Sequence, residues 1–217
     1  MKHDQWISQT IEFVRETLAG AEGGHDWFHI ERVWKTTQTI AAQEPVDRTV
    51  AELAALLHDI ADAKFHGGND EVGPAKAGAF LASIDVPVHI AAQVVQIIRD
   101  ISFKGGRHEV QHRTPELDVV QDADRLDAIG AIGIARAFSF GGYKQRALYD
   151  PSVPPDMHMD AATYRKSTAP TINHFYEKLL LLKDRMNTAS GRKMAEQRHR
   201  FMEQYLGQFY AEWEGKR

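Results

Sequence analysis

Residues 49–61 read Thr49-Val50-Ala51-Glu52-Leu53-Ala54-Ala55-Leu56-Leu57-His58-Asp59-Ile60-Ala61. Leu53 to Leu57 is apolar on almost every side of a helical wheel, so the segment predicts a helix running through the core. Asp47, just upstream, is its N-cap, and the helix ends on His58-Asp59-Ile60. A polar pair at the end of such a helix is costly to bury unless something satisfies it. Neighbouring helical residues point about 100° apart, so His58 and Asp59 converge on one ion only if other segments bring ligands from the side.

Two other segments offer them. In His25-Asp26-Trp27-Phe28-His29-Ile30-Glu31-Arg32-Val33 the two histidines are four apart and share a helix face. In Asp122-Ala123-Asp124-Arg125-Leu126-Asp127 three carboxylates crowd an otherwise apolar stretch and repel one another unless a cation or an arginine compensates them. The first segment also invites comparison with the zinc-protease pattern His-Glu-x-x-His. Here Asp26 stands where the catalytic Glu would be, and its shorter side chain would reach a water poorly.

Outward from these motifs, helical periodicity dominates. Ile7, Ile11, Val14 and Leu18 mark a first helix ended by Gly20, and a second runs from Asp26 to Glu44 before Pro45. Further helices are expected over about Asp70 to Ile84 and from Val88 to Ile98. The next starts near Pro115, carries Asp124 and continues, bent, through Leu126 to Phe138. After a loop with Pro151, Pro154 and Pro155, one amphipathic stripe joins Ile172, Phe175, Leu179, Leu182 and Met186, and Met194 to Trp213 forms the last helix. No segment alternates as a strand would, and no repeat appears, so the expectation is an all-α fold, a single irregular helical bundle.

The chain has 217 residues with 43% hydrophobic and 26% charged, which fits one globular domain over residues 1–217. Its formal net charge of -4 gives no overall attraction to nucleic acid or an anionic membrane. The absence of cysteine excludes disulfides, thiolate metal sites and cysteine nucleophiles, leaving His, Asp and Glu as metal ligands. Charged residues interrupt the apolar positions of the first 19 residues, and no stretch approaches the ~20 apolar residues of a membrane span, so a cytoplasmic location is expected.

His29, His58, Asp59 and Asp124 together form a pattern that resembles the HD superfamily of metal-dependent phosphohydrolases: a His, a His-Asp doublet and a distant Asp. His29 matches the first position because Ile30-Glu31-Arg32-Val33 continues it as the family's motif does, and Ala123-Asp124-Arg125-Leu126 looks like the last motif. Leu56 to Asp62, Asp122 to Asp127 and His174-Phe175-Tyr176-Glu177-Lys178-Leu179 are similar to the small bacterial YedJ/YpgQ-type subgroup over nearly the whole chain. The resemblance implies an HD-type domain whose C-terminal helices, about 169–214, pack on the metal-binding core. It leaves His25 and Asp127 beside the ligands, His25 as a substrate contact, and makes Lys178 and Arg198 candidate phosphate contacts.

Four mixed nitrogen and oxygen ligands leave open positions on a hexacoordinate ion, so Mn²⁺ is the first expectation, with Fe²⁺, Co²⁺ or Ni²⁺ as alternatives. Such a cation lowers the pKa of water and polarises a phosphoryl oxygen, while Asp59 or a neighbouring carboxylate takes the proton. Lys64 and His66 follow the doublet closely and orient phosphate or water, or else simply form a surface loop. Lys104 and Arg107, in the glycine-containing loop Lys104-Gly105-Gly106-Arg107-His108, either bind phosphate or form a solvated turn. Trp27, Trp34, Phe65 and Tyr143 are candidates to stack a base, and none is chosen.

The expected partner is therefore a small nucleotide, with no nucleic acid and no membrane. The subgroup resemblance narrows the reaction to hydrolysis of a nucleoside triphosphate to a monophosphate and pyrophosphate. The alternatives are a nucleotide phosphatase, an alarmone or cyclic dinucleotide hydrolase, and a non-catalytic metal or nucleotide sensor.

Overall fold

The structure, a computed structural model, describes residues 2–20, 26–61, 69–101 and 112–217. Among the described residues the regular structure is helical, without a strand. No helix among them is long and apolar enough to cross a membrane. The chain divides into two compact units, Met1–Asp124 and Arg125–Arg217, each treated by itself.

The first unit contains α1 (Lys2–Thr17), α2 (Trp27–Ala41), α3 (Arg48–Leu57), α4 (Val72–Ser83), α5 (Val88–Ile101) and most of α6 (Pro115–Asp127). α3 is its axis, packed against α1, α2 and α5. Val50, Ala51 and every residue from Leu53 to Leu57 are fully buried, as the apolar run demands. The buried Glu52 is satisfied: its carboxylate accepts from Trp34 Nε1 and Gln38 Nε2, both at 2.8 Å, with His3 Nε2 3.6 Å away. Asp47 caps the helix by accepting from the amides of Thr49 and Val50 at 2.8 and 3.2 Å. Its own amide donates to Glu116 at 2.9 Å, which ties the start of α3 to α6.

α3 stops at Leu57, short of the expected Ala61. The apolar run ends there, and the His58 ring takes up the Ala55 carbonyl, an acceptor in the last turn that a continuing helix would have used. α2 likewise starts one residue later than expected, because Asp26 is its cap and not its first turn.

The second unit contains the end of α6, α7 (Gly130–Tyr143), the short α8 (Ala161–Lys166), α9 (Thr171–Glu177), a 3₁₀ segment (Leu179–Arg185) and α10 (Ala189–Trp213). The bent helix expected from Pro115 to Phe138 is in fact two helices. Ile129 is extended, Gly130 has φ of +76°, and a Cβ on Gly130 would lie 3.0 Å from Cβ and Cγ of Arg198. Glycine alone accepts both the left-handed backbone and the close approach.

The stripe Ile172, Phe175, Leu179, Leu182 and Met186 is buried throughout, yet two elements carry it. Lys178, at φ -143° and ψ -56°, breaks the α-helix, and the 3₁₀ period then keeps Leu179 and Leu182 in line. Phe175 is fully buried, with the Tyr205 ring stacked at 6.0 Å and Phe138 at 5.9 Å. α10 begins before Met194 because Thr188 caps it through the Gly191 amide at 2.9 Å.

Candidate metal centre

The first unit brings together side chains from three helices. His29 lies in the first turn of α2, where Asp26 Oδ1 accepts from the His29 amide at 2.9 Å and fixes where the helix starts. Ile30 and Val33 anchor the same turn in the core, so the His29 ring is buried with only 3% of the residue exposed. His58 is the C-cap of α3 and keeps helical dihedrals, while Asp59 sits in the turn that follows. That position relaxes the divergence expected of neighbours inside a helix. One ligand atom each from His29, His58 and Asp59 lies within 4.8 Å of the others, so these three residues can hold a metal ion.

Asp124, on α6, reaches both imidazoles. One of its carboxylate oxygens is 3.5 Å from His29 Nε2 and 3.9 Å from His58 Nε2. The two rings meet edge to face, with centroids 5.4 Å apart. His58 Nδ1 is 2.8 Å from the Ala55 carbonyl, which only accepts, so Nδ1 carries a proton and Nε2 is the nitrogen left to face the cluster. Two donors about 2.1 Å from one ion lie at most about 4.2 Å apart, and both Asp124 distances fall below that ceiling. His29, His58 and Asp59 therefore fit a divalent cation, and Asp124 lies within reach of both imidazoles without joining their cluster of mutually close ligand atoms.

A model of the HD domain family matches residues 27–129, a span that holds all four of these side chains. Over 211 residues the chain is 37% identical to the uncharacterized protein YpgQ of Bacillus subtilis (strain 168), covering 96% of this chain and 94% of that protein. This chain belongs to the HD-domain family. It is thereby a metal-dependent phosphohydrolase of the HD type. The crystal structure of an HD-superfamily hydrolase from Bacillus thuringiensis is similar to it at a TM-score of 0.79, with 43% identity over 98% of each chain. A crystal structure of Bacillus subtilis YpgQ in complex with ADP is similar at 0.77, with 36% identity over 98% of this chain and 97% of that one.

The other expected residues have varied positions, each within its own unit. His25, Lys64, His66, Lys104 and Arg107 lie outside the described residues, as does Phe65. Asp122 is fully buried, and Asp127 pairs with Arg136 in the second unit. Arg125 donates to the Arg185 carbonyl at 2.7 Å. Lys178 is the exposed C-cap of α9. Arg198 donates to the Leu126 carbonyl at the end of α6, where burial lowers its pKa and the Asp127 charge opposes that shift.

Two positioning features escaped the sequence reading. Asp26 is a preferred capping residue three before His29, a signal that was available. The Ala55 carbonyl that sets the His58 tautomer is backbone and leaves no mark on the residue pattern.

Proposed function

We propose that this chain hydrolyses small nucleotides, as a nucleoside triphosphate pyrophosphohydrolase that releases a nucleoside monophosphate and pyrophosphate. In this reading His29, His58, Asp59 and Asp124 hold the metal, with Mn²⁺ preferred over Fe²⁺, Co²⁺ and Ni²⁺. The observation that carries it is the convergence of His29, His58 and Asp59, one ligand atom of each within 4.8 Å of the others, with an Asp124 oxygen beside both imidazoles, a set of mixed donors suited to a first-row ion. The ADP bound by Bacillus subtilis YpgQ supports a nucleotide as the substrate.

When bound, the cation supplies Lewis acidity toward a phosphoryl oxygen and toward water. The chain's own residues do the rest. Asp59, in a turn and not locked within α3, accepts the proton of the attacking water. His25, Lys64, His66, Lys104 and Arg107 are assigned to phosphate or water from the sequence. Lys178 and Arg198 are assigned to phosphate as well, and Arg198 has to share its guanidinium with the Leu126 carbonyl it already holds. The Arg fork has five donors, so one such bond leaves others over.

The test is a screen of chelated, then metal-reloaded protein against nucleotides, with products identified by mass spectrometry. Nucleoside monophosphate with pyrophosphate, strongest with Mn²⁺ and poor with Mg²⁺ or Zn²⁺, is the expected result. Orthophosphate as the product, turnover by the chelated protein or full activity with Mg²⁺ alone would overturn it.

A further inference from the structure

Glu52 is the one charged side chain in the stretch of α3 from Val50 to Leu57, and only 7% of the residue is exposed. A carboxylate buried on the axis of the first unit is costly, and an apolar residue of similar size would serve the core at least as well. What the carboxylate adds is geometry. Its Oε2 accepts from Trp34 Nε1 and from Gln38 Nε2, each at 2.8 Å. The two donors are four residues apart on α2, so they share a face one turn apart. On the other side His3 of α1 places Nε2 3.6 Å from Glu52 Oε1, and its Nδ1 lies 3.1 Å from Thr49 Oγ1 on α3.

Two donors a turn apart on one acceptor atom fix α2 against α3 in both rotation and slide. An N–H···O bond spans only about 2.7–3.2 Å, so a slide of about half an ångström already stretches one of the pair. The metal ligands need a tolerance of that size. One ligand atom each from His29, His58 and Asp59 lies within 4.8 Å of the others, and such constellations function when held to within about 0.5 Å. The tie is also near them. Counted away from the centre the two helices run antiparallel: at 1.5 Å per residue, Trp34 is about 7.5 Å along α2 from His29, and Glu52 is about 9 Å along α3 from His58. Over so short a stretch of helix, the register set at Glu52 is the register at the ligands.

We propose that Glu52 is a positioning residue for the metal centre: through Trp34 and Gln38 it sets the register of α2 on α3, and with it the separation of His29 from His58 and Asp59. The inference rests on the reading of those residues as metal ligands. The role calls for the acceptor oxygen and not for the charge, because a single oxygen takes both donors. Glutamine offers such an oxygen in the same place.

The test measures the Mn²⁺ affinity of the full chain, from the electron paramagnetic resonance signal of the free ion, and the melting of the same proteins in chelator. Trp34→Phe combined with Glu52→Met removes donor and acceptor together, while the exposed Gln38 turns to water, so the metal-free melting temperature should stay near that of wild type. That double variant should nevertheless bind Mn²⁺ about tenfold more weakly. Glu52→Gln should bind it as wild type does. Gln38→Met changes an exposed position, should weaken binding in the same direction by less, and decides the matter if the double variant does not fold. Wild-type affinity in a folded double variant or in Gln38→Met, a Glu52→Gln protein as weak as the double variant, or affinity that falls only in step with the metal-free melting temperature would overturn the proposal. Wild-type protein that binds no Mn²⁺ would remove the metal-centre reading and this inference with it, whereas equal binding by wild type and variants would remove this inference alone.

Discussion

The break between α6 and α7 is the place where one methyl group should cost most, and Gly130→Ala adds that methyl. Gly130 has φ of +76°, a region where a Cβ costs about 1–2 kcal/mol. The new Cβ would also lie 3.0 Å from Cβ and Cγ of Arg198, tighter than ordinary contact, so the arginine has to move. Its movement strains or breaks the bond to the Leu126 carbonyl, a hydrogen bond from a charged donor of about 1.5–3 kcal/mol. The sum is about 2.5–5 kcal/mol, or a fall in melting temperature of roughly 5–20 °C for a chain of this size. Calorimetry on the full chain reads it, with Gly207→Ala as the control. Gly207 lies within α10, and a Cβ there meets nothing within 4 Å, so the control should be neutral or stabilise by up to about 1 kcal/mol. In an Arg198→Ala background the hydrogen bond is already gone, and Gly130→Ala should then cost about 1.5–3 kcal/mol less. A Gly130→Ala protein melting with the wild type, or one equally destabilised in both backgrounds, would refute the assignment of that strain.

Three further outcomes are expected. His58→Ala and Asp59→Ala should each lose bound metal and hydrolysis while circular dichroism still reports a helical fold; a full equivalent of metal in the double variant would contradict the proposed centre. Asp26→Ala should cost about 1 kcal/mol through the lost cap on α2 and also lower metal affinity, because the cap sets the first turn that carries His29; unchanged affinity would separate the cap from the site. Burial, reinforced by the Lys178 and Arg146 charges, pushes the His174 imidazole down to about 4. As pH falls from about 6.5 to about 4, the unfolded chain gains a proton at its histidine that folded His174 refuses, so stability falls across that window. His174→Gln should flatten this part of the pH–stability curve, and an unchanged slope would place the proton uptake elsewhere.

The residues that fix the fold are those whose pattern has one reading. Leu53 to Leu57 admits only a buried helix, and Asp47 announces its start, so the axis of the first unit follows from the sequence alone. The breaks are another matter. Leu126, Ile129, Ile132 and Ile134 keep helical spacing across a point where the backbone turns left-handed, because periodicity records burial and not φ. The left-handed φ of Gly130 and the approach of the Arg198 side chain, far along the chain, together make glycine obligatory, and neither shows in the periodicity. The stripe from Ile172 to Met186 misleads for the same reason, since 3.0 and 3.6 residues per turn bury nearly the same positions over so short a run. At the HD cluster, residue types and order pointed to His29, His58, Asp59 and Asp124. The proton on His58 Nδ1 depends on a carbonyl and appears only in three dimensions, as does the pairing of Tyr164 with His174 across the gap between two short helices.

The immersion of α3 also sets a timescale. A helix with no face toward water has no partial opening that frees its amides, so its hydrogen exchange should follow the slowest opening of the first unit. His58, the C-cap of that helix, is attached directly to it and shares its lifetime. In the proposed centre its imidazole then stays in place for as long as the core of the first unit holds, through any number of exchanges of the ion with solution.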